Sequence, residues 1–204
     1  MVYTSFASLK GKYSVSSDVI DEYKSKWRRI YLEEIRRGPK TRKYVSLDSE
    51  PAKDIYINRT IRPFFRGISS DDIYYIRTHR MIIYGMHKYS RPLRSIVMKA
   101  SGYNLGVMLV DKDIVRSIDD LPEIFVKQKI GILDIVNESL DTMKINIYEC
   151  MSCYGMLPVG MPMCDFEAGI IEGVLEKLYG RNKTVEKYCW GLGYSFCGFE
   201  SYFE

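Results

Sequence analysis

The stretch Asp165–Phe203, DFEAGIIEGVLEKLYGRNKTVEKYCWGLGYSFCGFESYF, decides the fold class. Its first fifteen residues place Ile170, Ile171, Val174, Leu175 and Leu178 on one helical face, with Glu167, Glu172 and Glu176 away from it. Asp165 suits the amino-terminal cap and Gly180 the carboxy-terminal stop, which predicts a helix over 165–179. Gly169 and Gly173 weaken that helix intrinsically, so close packing must require them. The period then changes. Lys183–Trp190 and Phe196–Phe203 read as two strands of a hairpin around Gly191-Leu192-Gly193-Tyr194-Ser195. Just upstream, Ile130–Leu140 and Met143–Cys150 read as two more, joined by a tight Asp141-Thr142 turn; Ile145, Ile147 and Tyr148 are good strand formers. Hairpins with an embedded helix, preceded by long helices, predict an α+β fold: an antiparallel sheet of about four strands packed with helices.

Working outward, the chain becomes more helical. Residues 1–16 read as a loose arm. A long helix starts near Ser17 or Asp18, carries Ile20, Tyr23, Trp27, Ile30, Tyr31 and Ile35 at helical spacing, and stops at Gly38-Pro39. Arg36, Arg37, Lys40, Arg42 and Lys43 form a basic cluster there, read as a solvated helix end, with phosphate or nucleic-acid binding as the sharper alternative. Residues 44–70 look irregular, with a short strand at Ile55-Tyr56-Ile57. Asp71–Met86 fits strand by composition and helix by length. Arg91 to about Leu109 reads as a helix opened by Pro92, with Gly102 and Gly106 spaced for close packing. A short helix runs from Asp119 to Lys127. This divides the chain into a helical extension with an irregular segment, 1–70, and a main domain, 71–204.

Composition bounds the function. The 204 residues are 46% hydrophobic and 27% charged, enough for a real core. The net charge of +4 is too small to signal nucleic acid by itself. The apolar run Met81–Met86 is far too short for a membrane span, and the amino-terminal residues lack the apolar core of a signal peptide, so the expectation is a soluble, cytoplasmic protein. Gln128 is the only glutamine beside 30 Lys and Arg, a thermophile-like balance. The sequence shows no glycine-rich dinucleotide fingerprint, haem attachment motif, Fe–S cysteine run or helix-turn-helix, and neither His79 nor His87 has an evident catalytic partner.

Five cysteines, 150, 153, 164, 189 and 197, all fall in the last 55 residues. An odd count without a signal peptide argues against a disulfide framework, and clustering suggests a metal. With Gly193 at the turn centre, Cys189 and Cys197 would face each other across the hairpin. Glu186 would join them only through a bulge or an early strand end, because alternation puts it on the face opposite Cys189. Cys164 lies at a helix amino terminus, which favours thiolate. Cys164, Glu186, Cys189 and Cys197 would make a four-coordinate, sulfur-rich set suited to zinc and not to magnesium or calcium. Cys153 is the main substitute ligand, and Cys150 reads as a packed residue at a strand end.

The run Glu149-Cys150-Met-Ser-Cys153-Tyr-Gly155, then Cys164-Asp165-Phe166-Glu167-Ala168-Gly169, Gly173, Glu186-x-x-Cys189, Gly191-x-Gly193 and Cys197-x-Phe199 resembles the 4-vinyl reductase domain family. The resemblance is strong over about 145–200, weaker over 95–145 and absent before residue 70. Tyr194 departs from the Asp many members carry after the second glycine of the turn. The resemblance implies the α+β ligand-binding fold of nitric-oxide sensors and of small subunits of the TRAPP vesicle-tethering complex. It implies a structural zinc on Cys164, Glu186, Cys189 and Cys197, a carboxylate that spacing alone would not have chosen. It also implies an apolar pocket between helices and sheet, as in phenol- and xylene-sensing regulators and archaeal proteins of predicted hydrocarbon-binding role, with Trp27 and Trp190 as candidate lining. The leading expectation is therefore a non-catalytic, zinc-stabilised sensory domain for an apolar or aromatic small molecule, working as a homodimer or with a regulatory protein partner. Alternatives are a reductase of a vinyl-type double bond, as the family name implies, and a dimeric assembly subunit. DNA binding by the basic amino-terminal segment ranks below these.

Overall fold

A computed structural model describes residues 17–59, 61–69, 71–139 and 141–204; the amino-terminal arm expected at 1–16 lies outside the described residues. Five helices come first: α1 (Ser17–Arg37), α2 (Glu50–Asn58), α3 (Pro63–Ile68), α4 (Asp72–Tyr89) and α5 (Arg91–Asp111). A 3₁₀ turn at Ile118–Asp120 leads into α6 (Leu121–Lys127). Strands β1 (Ile132–Glu138) and β2 (Thr142–Tyr148) follow, then α7 (Asp165–Tyr179), β3 (Asn182–Tyr188) and β4 (Cys197–Phe203). The sheet is antiparallel throughout, in the order β1-β2-β4-β3. The α+β class, the four strands, α1, α5 and α7 therefore stand where periodicity put them. No helix among the described residues is long and apolar enough to cross a membrane.

One expectation for the first half is corrected, and one left open is decided. Ile55-Tyr56-Ile57 is not a strand but the end of α2. Pro51 opens that helix, and Ala52 and Tyr56, four apart, are its buried face. Tertiary burial outweighs the local strand preference of two isoleucines. The ambiguous segment from residue 71 is helical, because Ile76, Arg80 and Ile83 are buried at one-turn spacings. On α7, Cys164 and not Asp165 occupies the cap position, without a side-chain cap bond. Asp165 is turned instead to Arg94 and Ser95 of α5, at 3.1 and 2.6 Å.

The core lies between the sheet and the α5–α7 pair. Leu133, Ile145, Ile147 and Phe199 of the strands meet Leu109, Ile170, Ile171, Val174 and Leu175 of the helices in one contiguous cluster. The two helices touch backbone to backbone. A Cβ on Gly106 would lie 2.3 Å from the carbonyl oxygen of Ile170, and one on Gly173 would lie 2.3 Å from that of Tyr103. This is the close packing expected from the glycine spacing. Gly106→Ala should therefore force the helices apart and cost about 3 kcal/mol, at the upper end for overpacking. Urea denaturation would measure it, and an unchanged midpoint would show that the helices have room to yield.

The amino-terminal helices dock onto this body. Arg28 of α1 holds Asp134 of β1 through two bonds of 2.7 and 2.8 Å. The buried Glu34 carboxylate accepts the Ser195 N–H at 2.7 Å. Within the basic cluster, Arg37 pairs with Glu33 and Lys40 with Glu34. Gly193 has φ +92°, a left-handed turn against which Thr41 packs so closely that a Cβ would lie 2.2 Å from its carbonyl oxygen.

Candidate metal centre

All five cysteine sulfurs meet in one pocket at the end of β2, the start of α7 and the β3–β4 connection. Each of the five residues is 0% exposed. Two overlapping sets have ligand atoms within 4.8 Å of one another: Cys164, Glu186, Cys189 and Cys197, and Cys150, Cys153, Cys164 and Cys197. The first is the set named from the sequence. The second brings in Cys153, the expected substitute, and Cys150, which is packed in the core as expected and whose sulfur also lies 3.5 Å from that of Cys164.

Local structure explains how the first set converges. The ladder pairs Glu186 with Phe199 and then Tyr188 with Gly198, so Lys187 is an extra residue in a bulge. The bulge reverses the alternation that would have separated Glu186 from Cys189. Cys189 does not face Cys197 across the ladder, as a symmetric hairpin would have it. The β3 strand ends at Tyr188, and Cys189 opens a 3₁₀ turn whose Leu192 and Tyr194 N–H groups both bond to its carbonyl. That turn folds its sulfur back to 3.9 Å from Cys164.

Sequence reasoning missed what holds the other two cysteines. They sit on the loop after β2, which leaves the strand at Glu149, a non-glycine residue at φ +50°. Two buried arginines clamp this loop. Arg62 pairs with Asp72 and donates to the carbonyls of Lys129, Ile130 and Glu149. Arg80 donates to the carbonyls of Met151 and Tyr154, at 2.9 and 2.8 Å, and to those of Tyr56 and Arg59 at the end of α2. Burial pushes the pKa of Arg80 down, while the neighbouring Tyr56, Cys153 and Cys150 act to raise it. The signal was an arginine one turn from Ile76 and nearly one from Ile83, inside an apolar stripe where a charge needs partners.

Glu167 is a further correction. Read from the helical wheel as facing away from the core, it is 0% exposed. Its Oε1 accepts from Cys150 Sγ at 3.1 Å and Ser152 Oγ at 2.6 Å, and Ser152 meets His79 Nε2 at 2.9 Å. The cysteine loop covers a helix face that sequence alone assigns to solvent. Burial pushes the Glu167 and Glu186 carboxyls well above the usual range, and drives the His79 imidazole down to about 4.

The donor set fits a metal. Glu186 spends Oε2 on the Cys164 N–H at 2.9 Å, but its buried Oε1 has no hydrogen-bond partner among the described residues. An unpartnered carboxylate oxygen among thiols is costly unless a cation neutralises it. Sulfur-rich surroundings suit a borderline-soft ion such as zinc, not magnesium or calcium. Beside the centre, Tyr154 touches both tryptophans, with ring centroids 5.0 Å from Trp190 and 6.4 Å from Trp27, and Trp27 stacks on Tyr148. The layer expected to hold an apolar pocket is lined by core side chains; a cavity of about 550 Å³ lies elsewhere, between α1, α6 and β1, with Lys24, Arg28, Glu123 and Asp134 in its wall.

The sequence pattern of the 4-vinyl reductase domain matches residues 143–201. Two uncharacterised proteins of Methanocaldococcus jannaschii are similar: MJ1642, 38% identical over 86 residues (42% of this chain, 52% of the relative), and MJ0150, 36% identical over 104 residues (48% and 60%). The alignments thus span little more than half the length of these curated relatives. Among solved structures, a vinyl-4-reductase family protein from M. jannaschii shares 24% identity, covering 63% of this chain and 79% of that one, with a TM-score of 0.47. The phenol-responsive sensory domain of the transcription activator PoxR with phenol shares 14%, covering 53% and 64%, and subunit 3 of a trafficking protein particle complex from Naegleria fowleri, covalently bound to palmitic acid, shares 18%, covering 64% and 93%; both have TM-scores of 0.47. The similarity to the 4-vinyl reductase domain thus falls on the segment carrying most of β2, the cysteine loop, α7, β3 and most of β4.

Proposed function

We propose that this chain is a non-catalytic binding domain for an apolar or aromatic small molecule, built around a structural zinc on Cys164, Glu186, Cys189 and Cys197. The observation that carries it is the closure of the centre: the three cysteines are wholly buried and the Glu186 carboxylate faces inward. Four protein ligands out of reach of solvent leave no position for the water a catalytic zinc needs. The ion would tie the start of α7 to the β3–β4 turn. It would thereby fix Trp190, the residue after Cys189, against Tyr154 and form one wall for a guest. The match to this domain family supports the binding role, and no dinucleotide, haem or Fe–S motif favours a reductase.

Titrating the zinc-loaded chain with a panel of simple phenols and alkylbenzenes should give saturable quenching of tryptophan fluorescence, reduced by Trp190→Leu. Cys189→Ser should release the zinc of this set and lower stability. Protein that retains its zinc yet gives no saturable signal with any panel member would overturn the binding role and leave the clasp.

One observation favours a second reading, an assembly subunit. On α4, Tyr74, Met81, Ile82 and Tyr89 form an exposed stripe, continued on α5 by Leu93, Ile96 and Val97. A two-fold copy of the same face would cover it. Light scattering on the purified chain would show a dimer that Ile82→Glu converts to monomer.

A further inference from the structure

Resting on the zinc assigned to Cys164, Glu186, Cys189 and Cys197, we propose that the pocket binds a second zinc-like divalent ion, held by Cys150, Cys153, Cys164 and Cys197. Cys164 and Cys197 would then bridge the two ions. Six residues supply both sites because the two candidate sets share these two sulfurs. The shared pair stands 3.5 Å apart. Two thiolates on one tetrahedral zinc, with bonds of about 2.3 Å, have sulfurs roughly 3.8 Å apart, so this pair is close to the common edge of two tetrahedra.

The remaining donors divide between the two sets. Cys153 touches both bridging sulfurs, at 3.2 Å to Cys164 and 3.0 Å to Cys197, and Cys150 lies 3.5 Å from Cys164. Cys189 approaches Cys164 at 3.9 Å, and Glu186 binds the Cys164 backbone N–H. Each ion would thus receive two ligands of its own and two shared ones.

Charge does not oppose the second ion. One divalent ion on three thiolates and a carboxylate leaves two negative charges, with Cys150 and Cys153 as neutral thiols; a second ion binding both as thiolates leaves the same two. The outer partners are in place: Glu167 and Ser152 stand beside Cys150, and Arg80, fully buried with only carbonyls as hydrogen-bond acceptors, clamps the loop bearing Cys150 and Cys153. Such outer contacts orient metal ligands.

The test is metal analysis of the full chain purified without chelator. Two zinc ions per chain are expected, falling to one in Cys153→Ser and to one or none in Cys189→Ser. One ion in the wild type, kept in Cys153→Ser and lost in Cys189→Ser, overturns the second site and leaves the first standing. One ion lost in Cys153→Ser but kept in Cys189→Ser overturns both assignments, as does protein without metal. Should Cys153→Ser fail to fold, wild-type chain produced in cobalt medium decides. Two cobalt ions per chain, with a resonance signal weakened by coupling through shared sulfurs, support the bridged pair; a single cobalt ion overturns it.

Discussion

Cys164→Ser is expected to have the largest effect of any single substitution, emptying the centre and lowering the thermal midpoint by roughly 10–20 °C. Cys164 is common to both candidate sets and contacts the sulfurs of Cys150, Cys153, Cys189 and Cys197. Structural zinc binds small domains with about 10–16 kcal/mol, and that binding is part of their folding free energy. Loss of even about 5 kcal/mol corresponds to the shift given, at about 2–4 °C per kcal/mol for a chain of this size. Serine is a good residue for the cap position that Cys164 fills, so the helix itself should not suffer. Calorimetry with and without chelator checks this: chelator should bring the wild type down to the variant and leave the variant unchanged. A variant that keeps its metal and its midpoint would refute the clasp.

Arg80→Met should cost about 3–5 kcal/mol. Methionine fills much of the space but leaves four carbonyls, those of Tyr56, Arg59, Met151 and Tyr154, without their donor. Each orphaned buried carbonyl costs about 1 kcal/mol or more. Arg80→Lys should recover little, since one ammonium cannot span groups that the guanidinium reaches with three nitrogens. Denaturant unfolding measures the loss, and metal content should fall with it because the loop bearing Cys150 and Cys153 is released. A loss under about 1 kcal/mol would mean that water takes over the carbonyls and that the arginine clamps nothing.

The second half of the chain was legible because each element announces itself twice, by period and by boundary. Helix α7 has an apolar face and Gly180; the hairpin has alternation and a glycine turn. That Cys164, Glu186, Cys189 and Cys197 converge was not legible from spacing, because Lys187 bulges from β3 and Cys189 lies beyond the ladder; only the resemblance pointed to them together. Glu167 was misplaced for a related reason: a helical wheel records what one helix offers, not which loop covers it. Arg62 and Arg80 went unread because a charge in an apolar stripe shows its meaning only once its acceptors, as much as 87 residues away, are known. In α2, the local strand preference of Ile55-Tyr56-Ile57 was real, but burial of Ala52 and Tyr56 outweighed it.

Gly102 meets Phe166 while Gly106 meets Ile170, so α5 and α7 run in the same direction. Their peptide dipoles are therefore aligned side by side, which by itself is repulsive. The amino end of α7, with about half a positive charge, lies at the cysteine pocket, and the Arg94 side chain of α5 reaches Met163 and Asp165 beside it. A negative cluster at that end would complement this arrangement. The glycines that let the two helices touch thus also bring the positive end of α7 and Arg94 together beside sulfurs whose burial pushes the Cys164 thiol up.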